Sequence, residues 1–273
     1  MERQKTYSGK VALYAILLVI VIGIMFSLKK CNYATVASPS LSSGGDTIDV
    51  AIEYSPLSIY TYDDTLGGFN YDLLRVIADS HHLNLKFHPV VTLKDALKGI
   101  EEERYDILAA ALPMTAEDKE RYLFSQPVYL DRQVLVQLKD SITGECRVKS
   151  QLELAGDTVW IVEGSPIATR VSNLAREIGD TIYTIQEPLY GAEQLFLMTA
   201  TGEIKQAVIN ERIARELSPS YPNVDISTDI SFTQFQSWIL NKENTALADS
   251  LNSWLSAAKE TPAYKSLEQR YLK

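Results

Sequence analysis

The chain has 273 residues, 46% hydrophobic and 22% charged, enough apolar content for a packed core and enough length for one large domain or two lobes. Its net charge is −9, and because residues 1–30 set Glu2 against five Lys and Arg, the remainder carries −13. So acidic a body repels phosphate backbones, which excludes nucleic acid as a partner. His81, His82 and His88 form no i,i+4 helical pair and join no cysteine cluster, so neither a metal nor a cofactor is expected. Cys31 and Cys146 lie far apart and give no pairing pattern.

Val11 to Leu28 is the one long apolar run, eighteen uncharged residues between Lys10 and Lys29. At 1.5 Å per residue it spans roughly 27 Å, the thickness of a bilayer core. It reads as an uncleaved transmembrane anchor. A cleaved signal peptide is the alternative, although the run is long for one and ends in Leu28-Lys29-Lys30 instead of small residues. The same two lysines argue against lipid attachment at Cys31. The basic tail before the run favours an inside amino terminus and an extracytoplasmic body. Ala34 to Asp46, rich in Ser, Gly and Pro, reads as a flexible tether.

From Thr47 the sequence alternates strands and helices. IDVAIEY is a strand, Tyr71 to Ala78 a helix after the Gly67-Gly68 turn, and Leu85 to Val91 a strand. Thr92 and Asp95 form a capping-box pattern before a helix striped by Leu93, Ala96, Leu97 and Ile100. Asp106 to Leu112 is a continuous apolar run, as in a buried parallel strand. The rhythm then repeats: strand Thr158 to Val162, helix Pro166 to Glu177, strand Ile182 to Ile185, helix Ala192 to Thr201, strand Gln206 to Ile209, helix Glu211 to Leu217. A strand-like Phe232 to Leu240 and helices over Thr245 to Ala258 and Pro262 to Leu272 close the chain. This order implies two copies of a mostly parallel sheet flanked by helices.

Five motifs stand in fixed order: Tyr54-Ser55-Pro56-Leu57, Gly68-Phe69-Asn70-Tyr71-Asp72-Leu73, Thr115 with Phe124-Ser125, Gly164-Ser165, and Tyr264 to Leu272. Together they resemble the extracytoplasmic solute-binding proteins of family 3. The Ser55-Pro56-Leu57, Gly68 to Leu73, Asp106 to Leu112 and Arg132 to Val136 segments are similar to the non-catalytic solute-binding domain of membrane-bound lytic murein transglycosylase F. The resemblance implies an α/β, periplasmic-binding-protein-like fold, two lobes with a ligand cleft between them, preceded here by one N-terminal transmembrane helix. The organisation would be a tail and anchor at 1–30, a tether at 31–46, a first lobe at 47–136 plus 237–273, and a second lobe at 137–236. Val134 to Lys139 and Trp238 to Asn241 would be the hinges.

In such proteins an Arg three residues after the Thr forks onto a ligand carboxylate, and an Asp ending a second-lobe strand holds the ammonium. The corresponding positions here are Asp118 and Asn210, so both charges of the clamp are changed. The first-lobe strand positions that donate hydrogen bonds in the family are Ala110, Ala111 and Pro113. Gly164-Ser165-Pro166 leads into a helix with Ser165 as the expected N-cap, a place where backbone N–H groups favour an anion. Tyr54, Leu57 and Leu93 are the expected apolar wall. The reading is a membrane-tethered protein that closes around an amino-acid-, peptide- or muropeptide-like solute, with a permease or a cell-wall enzyme as partner. A regulatory module of peptidoglycan metabolism is the alternative. No convergent acid–base pair stands out, so catalysis is not expected.

Overall fold

The computed structural model describes residues 47–110 and 112–272. The apolar run at 11–28, the tether and Ala111 lie outside the described residues. Among the described residues no helix is long and apolar enough to cross a membrane.

The first lobe starts with β1 (Ile48–Glu53), the hairpin β2 (Tyr60–Tyr62) and β3 (Thr65–Gly67), and α1 (Phe69–His81). It continues through β4 (Leu85–Val90), α2 (Leu93–Glu101), β5 (Ile107–Ala109), α3 (Ala116–Arg121) and β6 (Tyr122–Phe124). The chain then crosses on β7 (Tyr129–Asp131). The second lobe holds β8 (Gln133–Leu138), β9 (Thr158–Val162), α4 (Ile167–Ile178), β10 (Tyr183–Glu187), α5 (Ala192–Ala200), β11 (Gln206–Asn210), α6 (Glu211–Leu217) and β12 (Val224–Asp229). A return on β13 (Gln234–Gln236) leads back to the first lobe and to β14 (Ile239–Asn241), α7 (Thr245–Lys259) and α8 (Pro262–Tyr271).

The two sheets share one plan. In the order β4-β1-β5-β14-β6, β1 runs parallel to β4 and β5, while β14 is antiparallel to both its neighbours. In the order β10-β9-β11-β8-β12, β9 is parallel to β10 and β11, and β8 is antiparallel on both sides. The apolar run in β5 is buried throughout, as a strand covered on both faces must be. In α2, Ala96 and Ile100 pack inward, but Thr92 and Asp95 bond to each other at 2.6 Å and no side chain caps the backbone.

The crossings differ from the expected hinges. Val134 to Leu138 is not a linker but the interior of β8, buried and paired on both edges within the second sheet. Ile239–Asn241 is likewise a paired strand of the first sheet. The chain passes between lobes on the two-stranded ribbon of β7 and β13, which lies ahead of Gln133 and behind Ser231. Arg132 fixes this junction by forking onto Glu211 with two bonds of 2.8 Å and reaching Asp229 at 2.7 Å.

The turn that opens α1 needs glycine for two reasons. Gly68 sits at φ 130, and a Cβ there would lie 2.7 Å from the Ser58 carbonyl carbon and closer still to its oxygen. This approach lets Tyr71 N–H donate to the Ser58 carbonyl at 3.0 Å and Asn70 N–H to that of Leu57. Asn70 is fully buried, donating to Ser58 Oγ at 2.7 Å and accepting from Trp238 Nε1 at 3.0 Å. Phe69 meets Tyr129, Tyr264 and Tyr271 edge-on at centroid distances of 5.5, 6.2 and 6.5 Å. Tyr271 donates to Asp72 at 2.7 Å and accepts from Gly68 N–H, so α8 staples the turn. We expect Gly68→Ala to destabilise the protein by about 3 kcal/mol or more, because backbone must move to relieve the contact. Urea unfolding with an unchanged midpoint would refute this.

Asp131, 3% exposed at the end of β7, accepts from Arg132 N–H at 2.8 Å and from Arg212 N–H at 3.3 Å. Burial pushes its carboxyl up to about 6, although these N–H groups, Arg212 and the Asn210 side chain oppose the rise. A raised value means the native state binds this proton more tightly than the unfolded chain does. Stability is therefore gained as pH falls through about 6 toward the ordinary carboxyl range and lost as pH rises, by about 3 kcal/mol at most. Asp131→Asn should remove that slope, with the two proteins converging near about pH 4 and the variant the more stable above about pH 7. Parallel pH profiles in denaturant titrations would contradict the assignment.

Candidate functional site: an interlobe cleft

In parallel α/β sheets the carboxyl ends of strands, and the helix starts that follow, open toward one edge, and ligands bind there. Both lobes turn that edge toward each other. From the first lobe come Glu53 at the end of β1, Val90 ending β4 and Val91 after it, Leu93 and Ala96 of α2, and Leu108, Ala110, Leu112 and Pro113 around the end of β5. From the second come Val162 ending β9, Ser165, Pro166 and Ile167 at the start of α4, Gly191 and Ala192 at the start of α5, and Asn210 ending β11. Gln133, the first residue of β8, closes the back. The cavity they enclose has a volume of about 30 Å³, room for a water or two, so the lobes stand closed.

Direct contacts across the mouth agree with closure. Lys94 Nζ of α2 lies 3.0 Å from Glu163 Oε1, which follows β9. A Cβ on Gly164 would sit 3.9 Å from Lys94 Cα, and one on Gly191 3.6 Å from the Val91 carbonyl oxygen. Both charged partners of the latch are partly exposed, so it contributes little to stability, about 0–1 kcal/mol.

Most of the cavity wall is apolar. Its polar groups are Glu53, Gln133, Ser165 and Asn210, and none of the described residues lining it is Lys, Arg or His. Glu53 accepts from the hydroxyls of Ser55 and Ser58, each at 3.4 Å. Asn210 is 8% exposed and its side chain bonds to Asp131. Tyr129, packed behind, has its hydroxyl proton held well above the ordinary range, first by burial and then by the negative charges of Asp131 and Glu53. Gln133 is 1% exposed, and its Oε1 has no hydrogen-bond partner among the described residues. Beyond Gln133 the cleft widens into a second, open chamber of about 390 Å³ that shares Pro113, Gln133 and Pro166 with the first.

Of the residues singled out from sequence, Leu93, Ala110, Pro113, Ser165 and Asn210 line the inner chamber together. Tyr54 is 47% exposed and Leu57 is packed in the first-lobe core; neither lines it. Ala111 is outside the described residues. Gly164, at φ 77, shapes the turn over Lys94 without lining the cavity. Ser165 is not the helix cap. That turn sends both its N–H, at 3.2 Å, and its hydroxyl, at 2.7 Å, back to the Val162 carbonyl, and Pro166 takes the capping position.

Asp118 is held away from both chambers. Its carboxylate accepts from Thr115 Oγ1 at 2.6 Å while its own N–H donates back to that oxygen at 3.0 Å, a reciprocal cap on α3. The nearby Arg121 is paired with Glu101. Glu53 and Gln133 escaped the sequence reading. The signal for Glu53 was its place next to the end of the first predicted strand, where cleft residues sit in such folds.

Comparison with known proteins agrees with this geometry. The model of the bacterial extracellular solute-binding proteins, family 3, matches residues 47–273. The membrane-bound lytic murein transglycosylase F of Aeromonas hydrophila subsp. hydrophila is 24% identical over 221 residues, covering 80% of this chain and 43% of that protein. The protein of the same name from Desulfosudis oleivorans is 26% identical over 225 residues, covering 82% and 48%. The chain thus spans about half the length of these relatives or less. Among solved structures, an ancestral arginine-binding protein bound to glutamine superposes with TM-score 0.72 at 20% identity, over 84% of this chain and 99% of that one. A putative L-cystine ABC transporter from Listeria monocytogenes does so with TM-score 0.72 at 18% identity, over 84% and 96%. With the family match extending over the whole described body, the chain belongs to the bacterial extracellular solute-binding proteins of family 3.

Proposed function

We propose that this protein is a membrane-tethered, extracytoplasmic solute-binding protein whose two lobes close on a small ligand for transport or sensing, with a permease or a cell-wall enzyme as its partner. The apolar run at 11–28 would supply the tether. The observation that carries the ligand reading is the charge of the cleft: one carboxylate, Glu53, and no cationic side chain among the described lining residues. A carboxylate brought into that enclosure would lose its hydration and meet no counter-charge, which is strongly unfavourable. A free α-amino acid is therefore a poor ligand. A compact apolar solute bearing an ammonium toward Glu53 is a good one, since the opposite charge offsets desolvation.

The names of the relatives, which cover the same body within longer chains, favour a second reading: a non-catalytic regulatory module of peptidoglycan metabolism, with a muropeptide-like ligand. Such a module uses the same closure, so the readings differ in partner more than in mechanism.

Leucine and leucinamide test the charge of the cleft, because they share side chain and ammonium and differ by one carboxylate. Leucinamide at about 100 times its dissociation constant should stabilise the whole chain by about 2.7 kcal/mol, seen as a raised thermal midpoint. Leucine should give far less, and Glu53→Gln should suppress the leucinamide effect. Equal shifts from the two solutes would sink this account of the cleft.

A further inference from the structure

The cleft does not end at its inner chamber. The open chamber beyond Gln133 is also interlobe, bounded by Thr115 and Glu117 from the first lobe, Thr169 and Asn173 of α4 from the second, and Gln234 of the return crossing. It has a volume of about 390 Å³ against about 30 Å³ for the inner one. The Arg170 guanidinium beside it is already used by the Ile230 carbonyl at 2.7 Å and by Glu177 at 2.8 Å, and Thr115 is used by Asp118. What remains toward the chamber is the Glu117 carboxylate, the amides of Asn173 and Gln234 and the Thr169 hydroxyl, set in a largely apolar wall that includes Met114, Ala116 and Pro166.

Gln133 stands in the wall common to both chambers. Its backbone is fixed, with its N–H donating to Ser231 Oγ at 2.9 Å and its carbonyl accepting from Ile230 N–H at 2.8 Å. Its side-chain Nε2 points to Gln234 Oε1 at 3.4 Å, which leaves Oε1 as the atom without a partner among the described residues. A buried amide oxygen in that state is costly, and it is relieved by any N–H brought to it. A ligand passing between the chambers brings one in place of the O–H of a bound water.

We propose that the cleft is a two-chamber site for a two-part ligand. A compact apolar head enters the inner chamber, which widens from its closed volume to take it, an uncharged extension lies in the outer one, and a link between them donates an N–H to Gln133 Oε1. This rests on the solute-binding reading above and adds the shape and linkage of the ligand to it. An α-aminoacyl amide with an uncharged polar substituent has this form, with its ammonium toward Glu53 and its amide N–H at the junction. A single amino acid or a simple amine fills one chamber only.

Calorimetric titration of the whole chain with three probes tests it: leucinamide, leucyl-serinamide, and leucyl-N-methylserinamide. The second should bind at least about tenfold more tightly than the first, and methylation of the junction nitrogen should remove that gain. Gln133→Leu should bring leucyl-serinamide and its N-methyl form to the same affinity. Thr169→Trp, at an exposed site that tolerates a large side chain, should fill the outer chamber and bring the ratio of leucyl-serinamide to leucinamide affinities to about one. Leucinamide binding with no gain for the extended probe overturns the two-chamber site and leaves the solute-binding reading standing. Binding by none of the three overturns both.

Discussion

The close approach of Gly68 to Ser58 is the constraint on which the first lobe depends. It brings two backbone segments within hydrogen-bonding distance where no side chain fits, and Asn70 becomes the buried node between them. Through Trp238 that node reaches the strand returning from the second lobe, and through Ser58 it reaches Glu53 in the cleft. Ser125 extends it, accepting from Trp238 N–H at 3.0 Å and donating its own N–H to the Trp238 carbonyl at 2.9 Å. Buried polar networks of this kind hold one arrangement because every alternative strands a donor or an acceptor.

From that fixed lobe the geometry of binding follows. Glu53 ends a strand whose register is set on both edges, so its carboxylate has little freedom to retreat. Gln133 is equally fixed at the start of a strand paired on both edges. The lobes are joined by two short ribbon strands, and the cleft between them presents one carboxylate in an apolar wall. The Lys94–Glu163 pair lies at the rim, where solvent screens it, so it adds little to holding the lobes together.

The scaffold was largely legible in the sequence because its signals are local. Glycine at a forced φ, alternating strand residues and apolar helical stripes each report on their own neighbourhood. Thr158–Val162 has the expected limits, and α1 extends its expected core only by a few residues at each end. β12 was missed, since a register shift between Asp225 and Thr228 breaks the alternation by which a strand is recognised. The site was less legible because it is assembled from strand ends in both lobes. The family template drew attention to Asp118, yet Thr115-Ala116-Glu117-Asp118 is itself a capping pattern, and the cap is what the structure shows. Ser165 was mistaken for a cap because its hydroxyl's direction depends on the Gly164 turn, which spacing alone does not reveal.

The interrupted layout of the first lobe also sets an order of events during synthesis. β14 lies between β5 and β6, and Tyr271 staples the opening turn, so the first sheet and its aromatic centre wait for residues near the end of the sequence. The second lobe, by contrast, is one unbroken stretch between the crossings and has all its strands as soon as β12 is made. On the ribosome the lobe begun later should be finished earlier, leaving the apolar strand β5 unpaired on one side until β14 arrives.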